Sequence, residues 1–208
     1  MNILYLILAV NFFISGLVIA RGNENVANTA EEVCPIKISS EIPDVKVQTL
    51  SGKEISIKEI VKGKKSIIIF YRGGWCPYCN MHLSDLQTIE NDLIKIGYKL
   101  IAISMDKPEN LKASLEKHKL KYELYSDSKA YACKAFGIAF KVDDEYVNKL
   151  KSFNIDLEAS SGEKHHILPV PSVFLVDENG IIKFEYVNPN YKERMKAKII
   201  LETAKNYL

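Results

Sequence analysis

Ser66-Ile67-Ile68-Ile69-Phe70-Tyr71-Arg72-Gly73-Gly74-Trp75-Cys76-Pro77-Tyr78-Cys79 is the stretch from which the rest of the chain is read. Its short β-branched apolar run, bounded by turn residues, predicts a strand covered on both faces. Gly73 and Gly74 then break the run, Trp75 adds bulk, and a Cys-x-x-Cys follows with Pro77 placed where a helix can begin. Chemistry is therefore expected at the carboxyl end of a central strand, the usual place in open α/β sheets.

Two cysteines three apart on a first helical turn are near enough to close a disulfide. The unpaired N–H groups and positive dipole end of the helix stabilise a thiolate. Helix starts and nearby cations bring a thiol pKa to roughly 3.5–7.5, and Arg72 is a candidate cation. Cys76, nearer the helix start, is expected to be the more acidic and more exposed thiol, with Cys79 as its resolving partner. Structural zinc or two inert thiols are the alternatives. Zinc of that kind needs four ligands, yet Cys34 and Cys133 stand alone, and His82, His118, His165 and His166 form no ligand-spaced partner motif. Trp-Cys-Pro-x-Cys after a strand favours redox chemistry carried by the thiols, with no cofactor and no metal.

The 208 residues, with a formal net charge of +2, allow one domain plus an extra segment. The basic residues are dispersed, so no nucleic-acid partner is expected. Residues 1–20 carry no charged side chain and end in Val18-Ile19-Ala20 before Arg21. They read as a signal peptide or a retained N-terminal membrane anchor, which implies an exported, periplasmic or secreted protein. Residues 21–35 read as a polar linker, and Cys34 near the domain edge as a structural or spare thiol. Residues 42–60 predict a β-hairpin with a turn at Gly52. After Cys79 the apolar positions Leu83, Leu86, Ile89, Leu93 and Ile96 predict one helix ended by Gly97.

Strands are predicted at 98–104 and 122–125, with helices at 108–117 and 129–136. That order implies parallel pairing through right-handed crossovers. Cys133 in the second of these helices reads as a packed cysteine, with a third redox thiol as the sharper alternative. Residues 138–166 read as an insertion beside the active site. Its His165-His166 pair suits an exposed loop better than a metal site or proton shuttle. A hairpin over 172–176 and 181–187 follows, and an amphipathic helix from Tyr191 onward closes the chain.

Several blocks together carry a resemblance: Pro43-Asp44 with Gly52-Lys53, the stretch from Phe70 to Cys79, Ala102-Ile103-Ser104-Met105-Asp106, Phe136-Gly137-Ile138, and Pro169-Val170-Pro171-Ser172-Val173-Phe174-Leu175-Val176-Asp177. On these, residues 36–208 resemble the thioredoxin superfamily, in the peroxiredoxin-like branch of the alkyl hydroperoxide reductase and thiol-specific antioxidant (redoxin) group. The resemblance implies an α/β thioredoxin-like fold: a central mixed β-sheet flanked by helices, an N-terminal β-hairpin, and an insertion before a cis-proline strand. Pro171 matches that proline, which faces the cysteine motif. The chain also departs from the family. Peroxiredoxins use Pro-x-x-x-Thr-x-x-Cys with a distant Arg; aligned on the last Cys, Arg72 and Cys76 replace the Pro and Thr. The distant Arg is replaced by residues near Val170-Pro171, while Cys76-Pro77-Tyr78-Cys79 is similar to the glutaredoxin motif.

The resemblance implies a thiol-based antioxidant oxidoreductase with Cys76 and Cys79 as catalytic residues. Arg72, Trp75, Pro77 and Pro171 bind substrate or stabilise the thiolate, and Cys133 and Cys34 are possible extra thiols. In one mechanism Cys79 attacks a hydroperoxide and a thioredoxin-like donor reduces the resulting disulfide. In the other Cys76 attacks a protein or small-molecule disulfide and Cys79 resolves. A third reading, of another class, is a noncatalytic thioredoxin-fold protein that binds copper or a partner through the same thiols, with His82 the nearest extra ligand.

Overall fold

The computed structural model describes residues 26–207, so the expected signal or anchor over residues 1–20 lies outside the described residues. Among the described residues no helix is long and apolar enough to cross a membrane. In chain order the elements are β1 (Val26–Ala27), β2 (Lys46–Gln48), β3 (Glu54–Ser56), α1 (Ile57–Val61), β4 (Lys65–Tyr71), α2 (Pro77–Gln87), α3 (Glu90–Lys95), β5 (Tyr98–Ser104) and α4 (Pro108–His118). They continue with β6 (Glu123–Ser126), α5 (Tyr131–Ala135), β7 (Ala139–Lys141), α6 (Asp144–Ser152), α7 (Leu157–Ser161), β8 (Ile167–Pro169), β9 (Ser172–Val176), β10 (Ile182–Val187) and α8 (Ala197–Asn206).

Seven strands form a mixed sheet in the order β10-β9-β4-β5-β6-β2-β3. β4, β5 and β6 run parallel, while β9 is antiparallel to β4 and β2 is antiparallel to β6. The apolar run of β4 is central because both of its faces are covered. Ile67, Ile69 and Tyr71 join Leu83, Leu86, Leu93 and Ile200 in a core on the α2 and α8 side. Ile68 and Phe70 face the opposite core, where the rings of Phe70, Phe136 and Phe174 pack with centroids 4.9–6.1 Å apart. Strand alternation thus sends the odd residues to one core and the even residues to the other.

Residues 57–60 of the predicted hairpin lie in α1, because Ser56 caps a helix there by accepting Lys58 N–H, and three further features of the fold differ from the sequence reading. The single helix expected after Cys79 is two, because Thr88 turns its hydroxyl and its N–H onto the Asp85 carbonyl and ends α2. A threonine hydroxyl that bonds nearby backbone competes with the helical ladder. Residues 26–32, read as part of a linker, dock against the insertion: Val26 and Ala27 pair in parallel with Ala139 and Phe140. The β1-β7-β8 sheet thereby covers the side of the domain that carries Arg72.

The third difference concerns Pro171. Among the described residues there is no cis peptide bond, so Val170–Pro171 is trans. β8 pairs with β7, and two residues later β9 pairs with β4. Val170 N–H donates to the Ile138 carbonyl at 2.8 Å, and the Pro171 carbonyl accepts from Asn188 N–H at 3.3 Å. A chain held on both sides while it passes from one sheet to the next must stay extended; a cis bond would shorten the step between neighbouring Cα atoms from about 3.8 to about 2.9 Å.

Candidate active site

β4 delivers Tyr71 to the sheet edge, and Arg72-Gly73-Gly74 turns the chain into α2. The turn is tight enough to specify both glycines. A Cβ on Gly73 would lie 2.3 Å from Trp75 Nε1 and 2.8 Å from Asp106 Oδ1, and one on Gly74 would lie 2.1 Å from Ser114 Oγ. Gly74 N–H donates to Asp106 Oδ2 at 2.6 Å, while its carbonyl accepts from Asn80 Nδ2 at 2.8 Å. Asp106 stands just beyond the carboxyl end of β5, beside the strand that carries the motif. Cys76 N–H closes the turn on the Gly73 carbonyl at 3.1 Å, Cys76 is the N-cap of α2, and Pro77 occupies its first turn.

Both motif cysteines are buried, Cys76 at 1% and Cys79 at 0% exposure. The expected order of acidity is reversed. The Cys76 thiol is pushed up, first by its interaction with the Cys79 sulfur and then by burial. Cys79 lies below the ordinary thiol range: burial raises it, and the neighbouring Cys76 thiol, the Arg194 guanidinium and the Arg72 backbone N–H outweigh that penalty. Negative charge in the pair therefore collects on Cys79. The helix start favours Cys76 on paper, but a direct cation contact is stronger than a half-charge dipole shared over a turn.

That cation is Arg194, whose Nη2 lies 3.5 Å from Cys79 Sγ. Its Nη1 donates to the carbonyls of Tyr191 and Glu193, and its buried Nε has no partner among the described residues. The approach is prepared by α2 itself. His82 Nε2 donates to the Met195 carbonyl at 3.0 Å, and the Asp85 carboxylate accepts Ala197 N–H at 2.9 Å. Residues 191–196 stay outside the helix for this reason, and α8 starts only at Ala197 although the apolar pattern reaches back to Tyr191. The site thus does hold a second guanidinium, from a segment beyond β10, where the sequence reading took the family's distant Arg to be replaced. One signal was available: the chain has 28 Lys plus Arg but only three arginines, Arg21, Arg72 and Arg194.

Asp106 is the second residue missed. Burial first, and the Cys79 charge with it, pushes its carboxyl up to about 7, against the Gly74 N–H that favours its anion. Two acids sharing one site do not both ionise readily. With Arg194 beside the sulfur, the charge falls on Cys79.

Arg72 is not the cation on Cys79. Its guanidinium, 3% exposed, stacks on Tyr191 at 4.2 Å, Trp75 at 4.9 Å and Tyr146 at 5.6 Å, and donates to the Tyr146 hydroxyl at 3.0 Å. Tyr78 meets Tyr191 edge to face at 5.8 Å. Pro171 lines the same groove as Arg72, Tyr146 and Tyr191. His82 is held neutral, pushed down to about 4 mainly by burial, and its Nε2 is committed to Met195. It is not turned toward the thiols, which removes the extra ligand from the copper reading. Among the described residues no three metal-binding side chains gather.

The remaining candidates lie apart. Cys34 is exposed. Cys133 is fully buried, with its sulfur 4.0 Å from Met105 Sδ, and its thiol is pushed up by burial and by Asp127. A thiol so placed is a poor nucleophile. Cys133→Ala is expected to leave the peroxide oxidation rate within about twofold of wild type, as surface-independent, unionised thiols contribute no thiolate; a tenfold fall in stopped-flow rate would make it a redox partner. His165 accepts Ile167 N–H at Nδ1 and bonds the Ser128 carbonyl through Nε2, while His166 pairs with Glu158 at 2.9 Å, so the two rings serve separate partners.

The AhpC/TSA family pattern matches residues 38–185. Peroxiredoxin Bcp of Escherichia coli (strain K12) is 28% identical over 104 residues, 50% of this chain and 66% of that protein. The chain thus spans just under two thirds of that relative's length. Thiol-disulfide oxidoreductase ResA of Geobacillus thermodenitrificans is 22% identical over 181 residues, 86% of each chain. Among solved structures, reduced Prx3 of Vibrio vulnificus in complex with hydrogen peroxide superposes with a TM-score of 0.67 at 18% identity, covering 81% of this chain and 99% of that one. Since the family pattern runs from before β2 into β10, taking in both thiols, the chain belongs to the AhpC/TSA family.

Proposed function

We propose that the chain is a thiol peroxidase in which Cys79 attacks and Cys76 resolves. The observation that carries this reading is the Arg194 guanidinium on Cys79, not on Cys76. The Cys79 thiolate attacks the distal peroxide oxygen. An S–O bond forms, the O–O bond breaks, and the other oxygen leaves as an alkoxide or hydroxide that takes up a proton. Sulfur is oxidised by two electrons and the peroxide is reduced. Arg194, with Nη2 at the sulfur, supplies a donor where negative charge develops. The Cys76 thiol then condenses with the Cys79 sulfenic acid, forming the S–S bond and releasing water. A thioredoxin-like dithiol donor returns both cysteines to thiols by exchange. An export segment over residues 1–20 would place this cycle outside the cytoplasm, in the periplasm or secreted.

The alternative, disulfide exchange, needs Cys76 as the attacking thiolate. Its raised thiol runs against that role, although relatives of the ResA kind keep it in view. Stopped-flow mixing of the reduced protein with hydrogen peroxide, followed through Trp75, decides between them. Trp75 stacks on Arg72 beside the thiols and reports their state. Oxidation far faster than that of a free thiol is expected. A rate equal to a free thiol's, with rapid oxidation by a dithiol-accessible disulfide, would overturn the peroxidase reading.

A further inference from the structure

Arg72 lines a groove of about 310 Å³ walled by Phe140, Val142, Tyr146, Pro171 and Tyr191. The insertion supplies the first three of these, and residues 28–31 of the docked N-terminal segment close one side. A volume of about 300 Å³ stands at the lower end of small-molecule sites, which are mostly apolar with a few placed polar groups. Neither motif cysteine lines the groove and Cys79 is fully buried, so an occupant here is a ligand of the fold and not a substrate of the sulfur.

The placed polar group is Arg72. Its guanidinium is 3% exposed and lies against the rings of Tyr146 and Tyr191, both of them groove walls. Buried cations are ordinarily paired with anions, yet Arg72 forms no ion pair among the described residues. Of the five N–H donors a guanidinium carries, one is in use among the described residues, from Nη2 to the Tyr146 hydroxyl at 3.0 Å, and the buried Nε has no partner. Aromatic faces attract the charge without neutralising it. The acids at the rim do not fill the gap. Asp143 is committed to Tyr146 N–H at 2.6 Å as the cap of α6, and Glu31 and Lys141, both exposed there, offset each other.

We propose that this groove is a binding site for a small monocarboxylate with an apolar body, its carboxylate on Arg72 and its body against Phe140, Val142 and Tyr191. The planar fork of the guanidinium matches two carboxylate oxygens. Such a ligand brings the anion that the buried cation lacks and takes up donors that the protein leaves unmade, which is what an unsatisfied buried group in a folded chain calls for. A neutral ligand of the same shape gains only the wall contacts. The site is independent of the peroxidase reading.

Trp75 is the one tryptophan of the chain and stacks on Arg72 at 4.9 Å. Its fluorescence in the reduced protein, titrated near neutral pH with cyclohexanecarboxylate, is expected to change saturably. Cyclohexanecarboxamide, the same shape without the charge, is expected to bind about 10- to 100-fold more weakly, the range that hydrogen bonds to a charged group support. In Arg72→Gln the preference for the acid is expected to vanish. Should that variant fail to fold, Ala30→Phe gives a second one: Ala30 lines the groove on the docked segment, and the larger side chain fills it while leaving Arg72 in place. It is expected to weaken binding of the acid by about tenfold or more. No saturable change with the acid, or equal affinities for acid and amide, would overturn the inference, as would binding that neither variant weakens. None of these results bears on the peroxide rate at Cys79, so the peroxidase reading stands or falls on its own test.

Discussion

Arg194→Met is expected to lower the second-order rate of peroxide oxidation by about 10²- to 10³-fold, the cost of removing one preorganised donor from a site of developing negative charge. Two effects act together. Arg194 Nη2 at 3.5 Å from Cys79 Sγ holds the thiolate, and without it the burial of Cys79 is no longer outweighed. In the proposed mechanism a guanidinium donor to the peroxide oxygen is lost as well. The pH profile separates the two. In the wild type, Cys79 ionises below the ordinary thiol range, so the rate should already be at its plateau near neutral pH and fall only toward acid. In the variant the rising limb should move above neutral pH, and at high pH only the donor effect should remain. Arg194→Lys should recover part of the thiolate but less of the rate, because an ammonium is a point charge without the guanidinium fork. Stopped-flow rates from pH 5 to pH 9 measure both, and an unchanged profile would remove Arg194 from the chemistry.

Asp106→Asn is expected to change how stability depends on pH by as much as about 4 kcal/mol, the linkage value of a carboxyl moved from about 3.9 to about 7. The sign follows from which state binds the proton better. The folded protein holds the Asp106 proton more tightly than the unfolded chain does. Its contribution is therefore fully present below the unfolded pKa and is lost as pH rises through the folded value near 7. Asp127, pushed up to about 6 chiefly by burial, acts in the same direction and remains in the variant. Cys79, with its lowered pKa, acts in the opposite direction at higher pH. Asparagine keeps an oxygen for Gly74 N–H and carries no charge, so the variant should gain on wild type as pH rises from 4 to 8. Urea unfolding of the reduced proteins across that range tests this. A stability difference that stays constant with pH would show that Asp106 does not titrate in the folded protein.

The central strand and the helix start at Pro77 were legible because each depends on a short run of residues, the β-branched stretch of β4 and the glycine pair with a proline at a first helical turn, while the mixed sheet came with the family resemblance. The order of acidity in the thiol pair was not. It depends on Arg194, which is 115 positions from Cys79 and is aimed by contacts from His82 and Asp85 to the backbone of Met195 and Ala197. Side chains of α2 read as ordinary helix positions in the sequence, and nothing local marks them as anchors for a distant loop. Asp106 stood within a quoted motif block, but its weight comes from burial against Gly74 and Cys79, which only the packing of β5 beside β4 creates. The trans bond at Pro171 has the same origin, since two sheets hold the chain on either side of it. The scarcity of arginine in a lysine-rich chain was the one composition-level clue to this chemistry.

The most direct test of the account is to treat reduced Cys76→Ser with one equivalent of hydrogen peroxide in the presence of dimedone and to map the adduct by mass spectrometry. With its resolving partner removed, the sulfenic acid should persist and the label should sit on Cys79. No label on Cys79, or a label that survives on Cys76 in the Cys79→Ser protein, would contradict Cys79 as the attacking sulfur.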